Sequence, residues 1–199
     1  MDAERRESRE IVADQVRRFR AGDGDAADPL ARRALRMSLR TASALMRSRE
    51  DAADVAQEVA VDVLGSLGKL RDPEAFDAWV HRITVRHAMR RLKKGRSTRK
   101  VEAPLALLDE DGLRAAIPDG DIDSRLAARQ ALVGAVSRLP AKQRVALALR
   151  YVHDLPDAEI AAALGCRVGT VHALLSRGRR SLREDRQLVE VTLDLKEEG

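Results

Sequence analysis

Apolar positions recur along this chain at three- and four-residue spacing, the period of a helix with one buried face. Ile11, Val12, Val16 and Phe19 form such a face over residues 9–22, which Gly22 closes. A turn at 23–29 follows, with Pro29 suited to the first turn of the next helix. There Leu30, Ala34, Met37, Ala44 and Leu45 predict a helix to about residue 46. Ser48 stands three residues before Asp51, a capping-box spacing with Asp in place of Glu, and opens a third helix over about 49–67. In it Val55, Val59 and Val63 repeat every four residues, and so do Glu50, Asp54, Glu58 and Asp62. Residues four apart share a helix face, so one row is a buried stripe and the other an acidic one. Beyond Gly65, Gly68 and a loop holding Pro73, a fourth helix spans about 74–94. Phe76, Val80, Ile83 and His87 face inward there, and Arg82, Arg86, Arg90 and Lys94 make a cationic row.

Periodicity then fades. Residues 96–123 carry Pro104, Gly112, Pro118 and Gly120 among many acids, and are longer than an ordinary loop within a domain. They read as a linker. Helical patterning resumes over 124–138, 140–152, 157–164 and 168–183, the last two separated by Gly165-Cys166-Arg167. A short helix, a tight turn with glycine and a longer helix make a helix-turn-helix, with Ile160, Leu164, Val171 and Leu175 packing the pair. The expected fold is all-α: two small helical domains (9–95 and 124–186) joined by an acidic linker (96–123), the C-terminal one a helix-turn-helix, with a tail at 187–199.

Composition narrows the classes. The 199 residues are 44% hydrophobic and 35% charged, with four aromatics, so sheet-forming runs are missing. No apolar stretch of about 18 residues exists to span a membrane. The opening MDAERRESRE lacks the apolar core of a signal peptide, and the expected location is cytoplasmic. Cys166 is the single cysteine, which excludes an intramolecular disulfide.

The net charge of +5 hides alternating blocks. Residues 50–68 hold five acids and no base, and 82–100 hold nine bases and no acid. Residues 101–123 hold seven acids against Arg114, and 167–186 hold six arginines against Glu184 and Asp185. Such blocks suggest partners of opposite sign on different faces. The acidic row fits a basic protein partner or a merely solvated face. The cationic row beside Trp79 fits single-stranded nucleic acid, with cations for phosphates and a ring for an unstacked base; the alternative is a Trp79 in the core. Arg177, Arg179, Arg180 and Arg183 on the last helix fit duplex DNA, unless the pair is a plain helical hairpin. Catalytic constellations are absent from the sequence. His81, His87, His153 and His172 make no H-x-x-x-H pair, and neither a GxxxxGK[ST] nor a GxGxxG phosphate loop occurs. Neither enzyme, metal nor cofactor is expected.

The ordered motifs resemble a known family. Asp51-Ala52-Ala53-Asp54-Val55-Ala56-Gln57-Glu58-Val59 is similar to the D-A-E-D-x-x-Q-E-V segment of bacterial extracytoplasmic-function (ECF) sigma factors. Ala78-Trp79-Val80-His81-Arg82-Ile83 resembles their A-W-L-x-R-I segment. Leu139-Pro140-Ala141-Lys142-Gln143-Arg144, Glu159-Ile160-Ala161, Leu164-Gly165 and Gly169-Thr170-Val171 resemble their region-four signature, the likeness running from about residue 11 to 185.

The resemblance implies a protein that joins core RNA polymerase and directs it to promoter DNA. Asp51, Asp54, Gln57 and Glu58 would then dock on the polymerase clamp helices. Trp79, Arg82, Arg86 and Arg90 would engage the −10 element. Arg167, Thr170, His172, Arg177 and Arg179 would meet the −35 element. An anti-sigma factor is a partner the resemblance leaves open. Departures fall at Ala60 and Leu64, where many relatives carry aromatics, at Arg86 and Arg90, and at His172, Ala173 and Leu174 in the recognition helix. The runner-up reading is a stand-alone helix-turn-helix regulator with a protein-binding N-terminal domain.

Overall fold

Each expected helix forms, with ends within a few residues of the pattern except at the N-terminus. The computed structural model describes residues 2–46, 48–94 and 122–189. Its helices are α1 (Asp2–Arg20), α2 (Ala27–Leu45), α3 (Arg49–Ser66), α4 (Phe76–Lys94), α5 (Ile122–Arg138), α6 (Ala141–Tyr151), α7 (Asp157–Leu164) and α8 (Val168–Arg183). No strand occurs among the described residues. The expected linker, all but its last two residues, and the tail beyond 189 lie outside them, as does the Lys94 side chain.

Local chemistry explains the ends. Ser48 takes extended backbone and its hydroxyl accepts from the Asp51 N–H at 3.1 Å, capping α3 as its spacing predicts. The Asp51 carboxylate also meets Arg91 of α4. Asp23 and Asp72 cap the 3-10 turns Gly24–Ala26 and Pro73–Ala75 in the same manner. Between α7 and α8, Gly165 adopts φ +63°, a left-handed conformation that suits glycine, and the chain bends by 98°. The main departure is in α1, which starts seven residues before its expected first residue. Its buried edge is Val12, Ala13 and Val16, leaving Ile11 55% exposed.

In the N-terminal unit α2 packs along α3, and α4 lies across both. Small residues let α2 approach. Ser38 meets Thr84 of α4 at 3.1 Å in the core. The Thr84 hydroxyl donates to Val80 O, so it accepts from Ser38. Val55, Val59 and Val63 are fully buried, as are Phe76 and Val80. His87 faces inward, as its spacing predicts, and His81 on the same helix is buried too.

The C-terminal unit packs α8 against α6 and α7. Ile160, Val171 and Leu175 are buried and Leu164 is partly so, as the helix-turn-helix pattern requires. Gly178 sets the closeness of α6 and α8: a Cβ there would stand 2.9 Å from Leu147 Cδ1 and 3.6 Å from Gln143 Cβ. Gly178→Val should therefore lower stability by about 1–3 kcal/mol through overpacking, read as a shifted midpoint in thermal unfolding. An unchanged midpoint would show that Leu147 yields freely.

The two units also touch. α7 packs on α4 and α6 on α2, so one run of buried side chains reaches from Val12 to Leu175.

Candidate functional site

The acidic row of α3 and the basic face of α4 share a seam. Residues on the edge of α3 next to its buried valines point along the surface toward α4, whose own register brings Arg91, His87 and Arg86 opposite them. Arg91 donates to Asp51 at 2.8 and 3.0 Å and to Asp54 at 2.8 Å, and its charge lies 3.9 Å from Glu58. Hydrogen bonding to Asp51 holds the Arg91 guanidinium above its ordinary pKa. His87 reaches Glu58 at 3.0 Å and Asp62 at 2.7 Å through its two ring nitrogens. Arg86 meets Asp62 at 3.5 Å. The expectation of acid and base on separate faces thus needs correcting: part of each block neutralises the other. The row is tolerated because α4 supplies the countercharge that repulsion between like charges at i+4 would otherwise lack.

What remains outward is uneven. Gln57 and Glu58 are exposed, while Asp51 and Asp54 are half-buried beside Arg91. On the other side of the seam Arg82, Arg86 and Arg90 are exposed along α4. Trp79 is half-buried, tilted 55° against Phe76 with ring centroids 6.3 Å apart. One part of the ring belongs to the core. The rest lines an open groove of about 1040 Å³ together with Lys69, Arg82, Arg86, Arg90 and Lys93. Trp79 is thus shared between the core and the groove. The far wall of the groove is Ala163, Leu164 and Gly165, from the end of α7.

On α8, Arg167, Thr170, His172, Arg177 and Arg179 are all exposed, opposite the buried Val171, Leu175 and Gly178. At 100° per residue, Thr170 and Arg177 share one flank and His172 and Arg179 the other, about 160° apart. A helix carrying donors on both flanks can reach both walls of a major groove. His172 is not independent, since its Nε2 lies 2.7 Å from Asp157 of α7, which also pairs with Arg150. That pair ties the start of α8 to the start of α7.

Sequence reasoning missed the side chains that join helices. Arg91 lies outside the i+4 row that drew attention to Arg82, Arg86 and Arg90. Arg144 was visible only as part of a motif. It is 5% exposed and donates to Ser137 O, Leu139 O and Leu45 O at 2.5, 3.1 and 3.1 Å. His81 and His153, seen only as scattered histidines, meet edge to face at 4.5 Å between centroids.

Comparison with known proteins follows the same partition. Residues 30–98 match the family model of Sigma-70 region 2, and residues 129–182 that of Sigma-70, region 4. The chain is 32% identical over 177 residues to the ECF RNA polymerase sigma factor SigM of Mycobacterium tuberculosis, covering 89% of this chain and 83% of that protein. It is 28% identical over 173 residues to the RNA polymerase sigma-H factor of Pseudomonas aeruginosa, covering 84% and 89% respectively. Among solved structures, CnrH in complex with the cytosolic domain of CnrY shares the fold, with a TM-score of 0.63 at 22% identity over 87% of this chain and 95% of that one.

Proposed function

We propose, because the chain belongs to the ECF sigma factors of the sigma-70 family, that its two helical units divide the work of promoter recognition between named surfaces. The protein is a sigma factor: it binds core RNA polymerase and directs transcription initiation at promoter DNA. It works by binding rather than by catalysis. Region 2 is assigned to residues 9–95, the linker to 96–123, region 4 to 124–186 and the tail to 187–199.

Asp51, Asp54, Gln57 and Glu58 form the polymerase-docking edge of α3. Gln57 and Glu58 supply its outermost groups, and Arg91 holds the two aspartates in place. Trp79, Arg82, Arg86 and Arg90 take the −10 element in the groove beside α4, where cations meet phosphates and the partly open indole ring offers a stacking face. Arg167, Thr170, His172, Arg177 and Arg179 present the two flanks of α8 to the −35 element. Such a factor acts in the cytoplasm, where polymerase and promoter are; no single described helix is long and apolar enough to cross a membrane. CnrH is held by the cytosolic domain of CnrY, and an anti-sigma factor would be the corresponding partner of this chain.

The observation that carries this reading is the pairing of the two family matches, in order, with the two units that bear the acidic seam and the helix-turn-helix. Reconstitution tests it. The purified chain should co-elute with bacterial core RNA polymerase and support transcription from a promoter of its own genome. A chain that binds duplex DNA yet never associates with core would instead be a stand-alone regulator.

A further inference from the structure

The contact between the two units covers part of α4, the helix assigned to the −10 element. α7 lies against it, placing Ala163, Leu164 and Gly165 across the groove from Trp79, Arg82 and Arg86. Promoter elements about 25 base pairs apart are about 85 Å apart along B-form DNA. A folded chain of this length has a radius of gyration of about 16 Å. One rigid body cannot present α4 to one element and α8 to the other, so the closed arrangement must open for both to be read.

Between the two units lies a pair of imidazoles. His153 follows α6 in a loop shaped by Asp154 at φ +48°, and its ring meets His81 of α4 edge to face. His81 is 3% exposed and its Nδ1 has no hydrogen-bond partner. His153 Nε2 lies 2.8 Å from Thr41 Oγ1 of α2. That hydroxyl donates to Met37 O at 3.0 Å, so it accepts from His153, whose neutral form carries its proton on Nε2. A second proton would make the ring an imidazolium, with its centroid 4.5 Å from that of His81.

We propose that the free chain is held closed by this histidine clasp and that protonation of His81 and His153 releases the helix-turn-helix unit from α4. The surroundings are set against charge. His81 faces Asp77 on its own helix, Glu159 of α7 and Arg33 of α2. The two acids are already engaged, Asp77 by Arg33 at 2.5 Å and Glu159 by Arg9 of α1 at 2.6 Å. His153 faces His81 and Arg40 of α2, and Arg40 also donates to Val152 O at 2.9 Å. Burial pushes His81 down to about 4; burial, then His81 and Arg40, push His153 down to about 3. Opening returns both to water and to the ordinary value of 6.5. Closure is therefore favoured in full above about pH 7.5 and progressively less as pH falls below the ordinary histidine value. With two protons taken up on opening, the closed-to-open ratio falls about 100-fold between pH 7.5 and pH 5.5.

Only the consequence for promoter binding rests on the sigma-factor reading; the clasp is tested on the free chain, and reconstitution with core tests the reading separately. Donor and acceptor dyes on Gly68→Cys and Ser181→Cys, in a Cys166→Ser background, report the distance between the units in single-molecule measurements. The wild-type sequence should gain a low-transfer population, with the ratio moving about 100-fold over that pH range. His81→Phe plus His153→Phe keeps the ring packing without the titration, and its ratio should move less than about twofold. His153→Gln keeps a donor toward Thr41 and should show about 10-fold. A circular dichroism spectrum at each pH establishes that helix content is retained. A wild-type ratio that does not move would overturn the clasp. So would an equal response in the variants, which would place the effect outside the clasp.

Discussion

Asp54→Lys plus Glu58→Lys should weaken binding to core RNA polymerase by at least about 100-fold, while affinity of the full chain for duplex DNA through α8 stays within about twofold. Truncating one member of a desolvated charged pair at an interface costs about 2–5 kcal/mol, and reversing the sign adds repulsion. The structure also says what must be controlled. Asp54 is bonded to Arg91 and Glu58 to His87, so the double reversal removes internal pairs as well as outward charge. Arg91→Ala separates the two effects. It removes the pairs to Asp51 and Asp54 but keeps both carboxylates in the chain. Its core affinity should stay within about fivefold, since part-exposed ion pairs contribute about 0–1 kcal/mol to the fold. Core affinity that falls as far in Arg91→Ala as in the reversal would mean that seam geometry, not outward charge, makes the docking edge. Core binding measured by fluorescence anisotropy and DNA binding by filter retention read the two sides.

Arg144→Leu should lower the stability of the chain by about 3–5 kcal/mol. Its guanidinium has carbonyl acceptors from two units: Ser137 O and Leu139 O around the end of α5, and Leu45 O at the end of α2. Helix C-termini carry partial negative charge, so they can host a buried cation in place of a carboxylate. Removing the side chain leaves those oxygens without their donor, at about 1–3 kcal/mol for a buried unsatisfied group. A domain of ordinary stability holds only about 5–15 kcal/mol, so calorimetry should show a transition roughly 10 °C or more lower. Arg144→Lys keeps the charge but cannot fork toward carbonyls in different directions, and should recover less than half of the loss. A Leu variant within about 1 kcal/mol of the wild type would mean that water replaces the guanidinium.

These two cases mark where sequence reading reaches and stops. The row of acids on α3 was visible because like residues four apart share a face. Its partial neutralisation was not, because Asp51 and Arg91 are forty residues apart and no periodicity links them. Arg144 stood inside a motif, yet a motif says that an arginine belongs there, not that its donors bind carbonyls from two units. The contact of His81 with His153 is equally silent in sequence, because no spacing within α4 points to a ring in the loop after α6.

By itself the sequence determined the eight helices named among the described residues, their buried stripes, the glycine turn of the helix-turn-helix and the order of motifs that identifies the family. All of these are local, set by spacing within one helix or by the chemistry of a cap. The tertiary structure decided which helix faces which. It joined the acidic and basic rows into one seam, left Trp79 half in the core, and brought two histidines seventy-two residues apart into edge contact across the units. The physical reason is that amphipathic spacing states which side of a helix must leave water, while the identity of the surface that covers it depends on contacts between segments far apart in the chain.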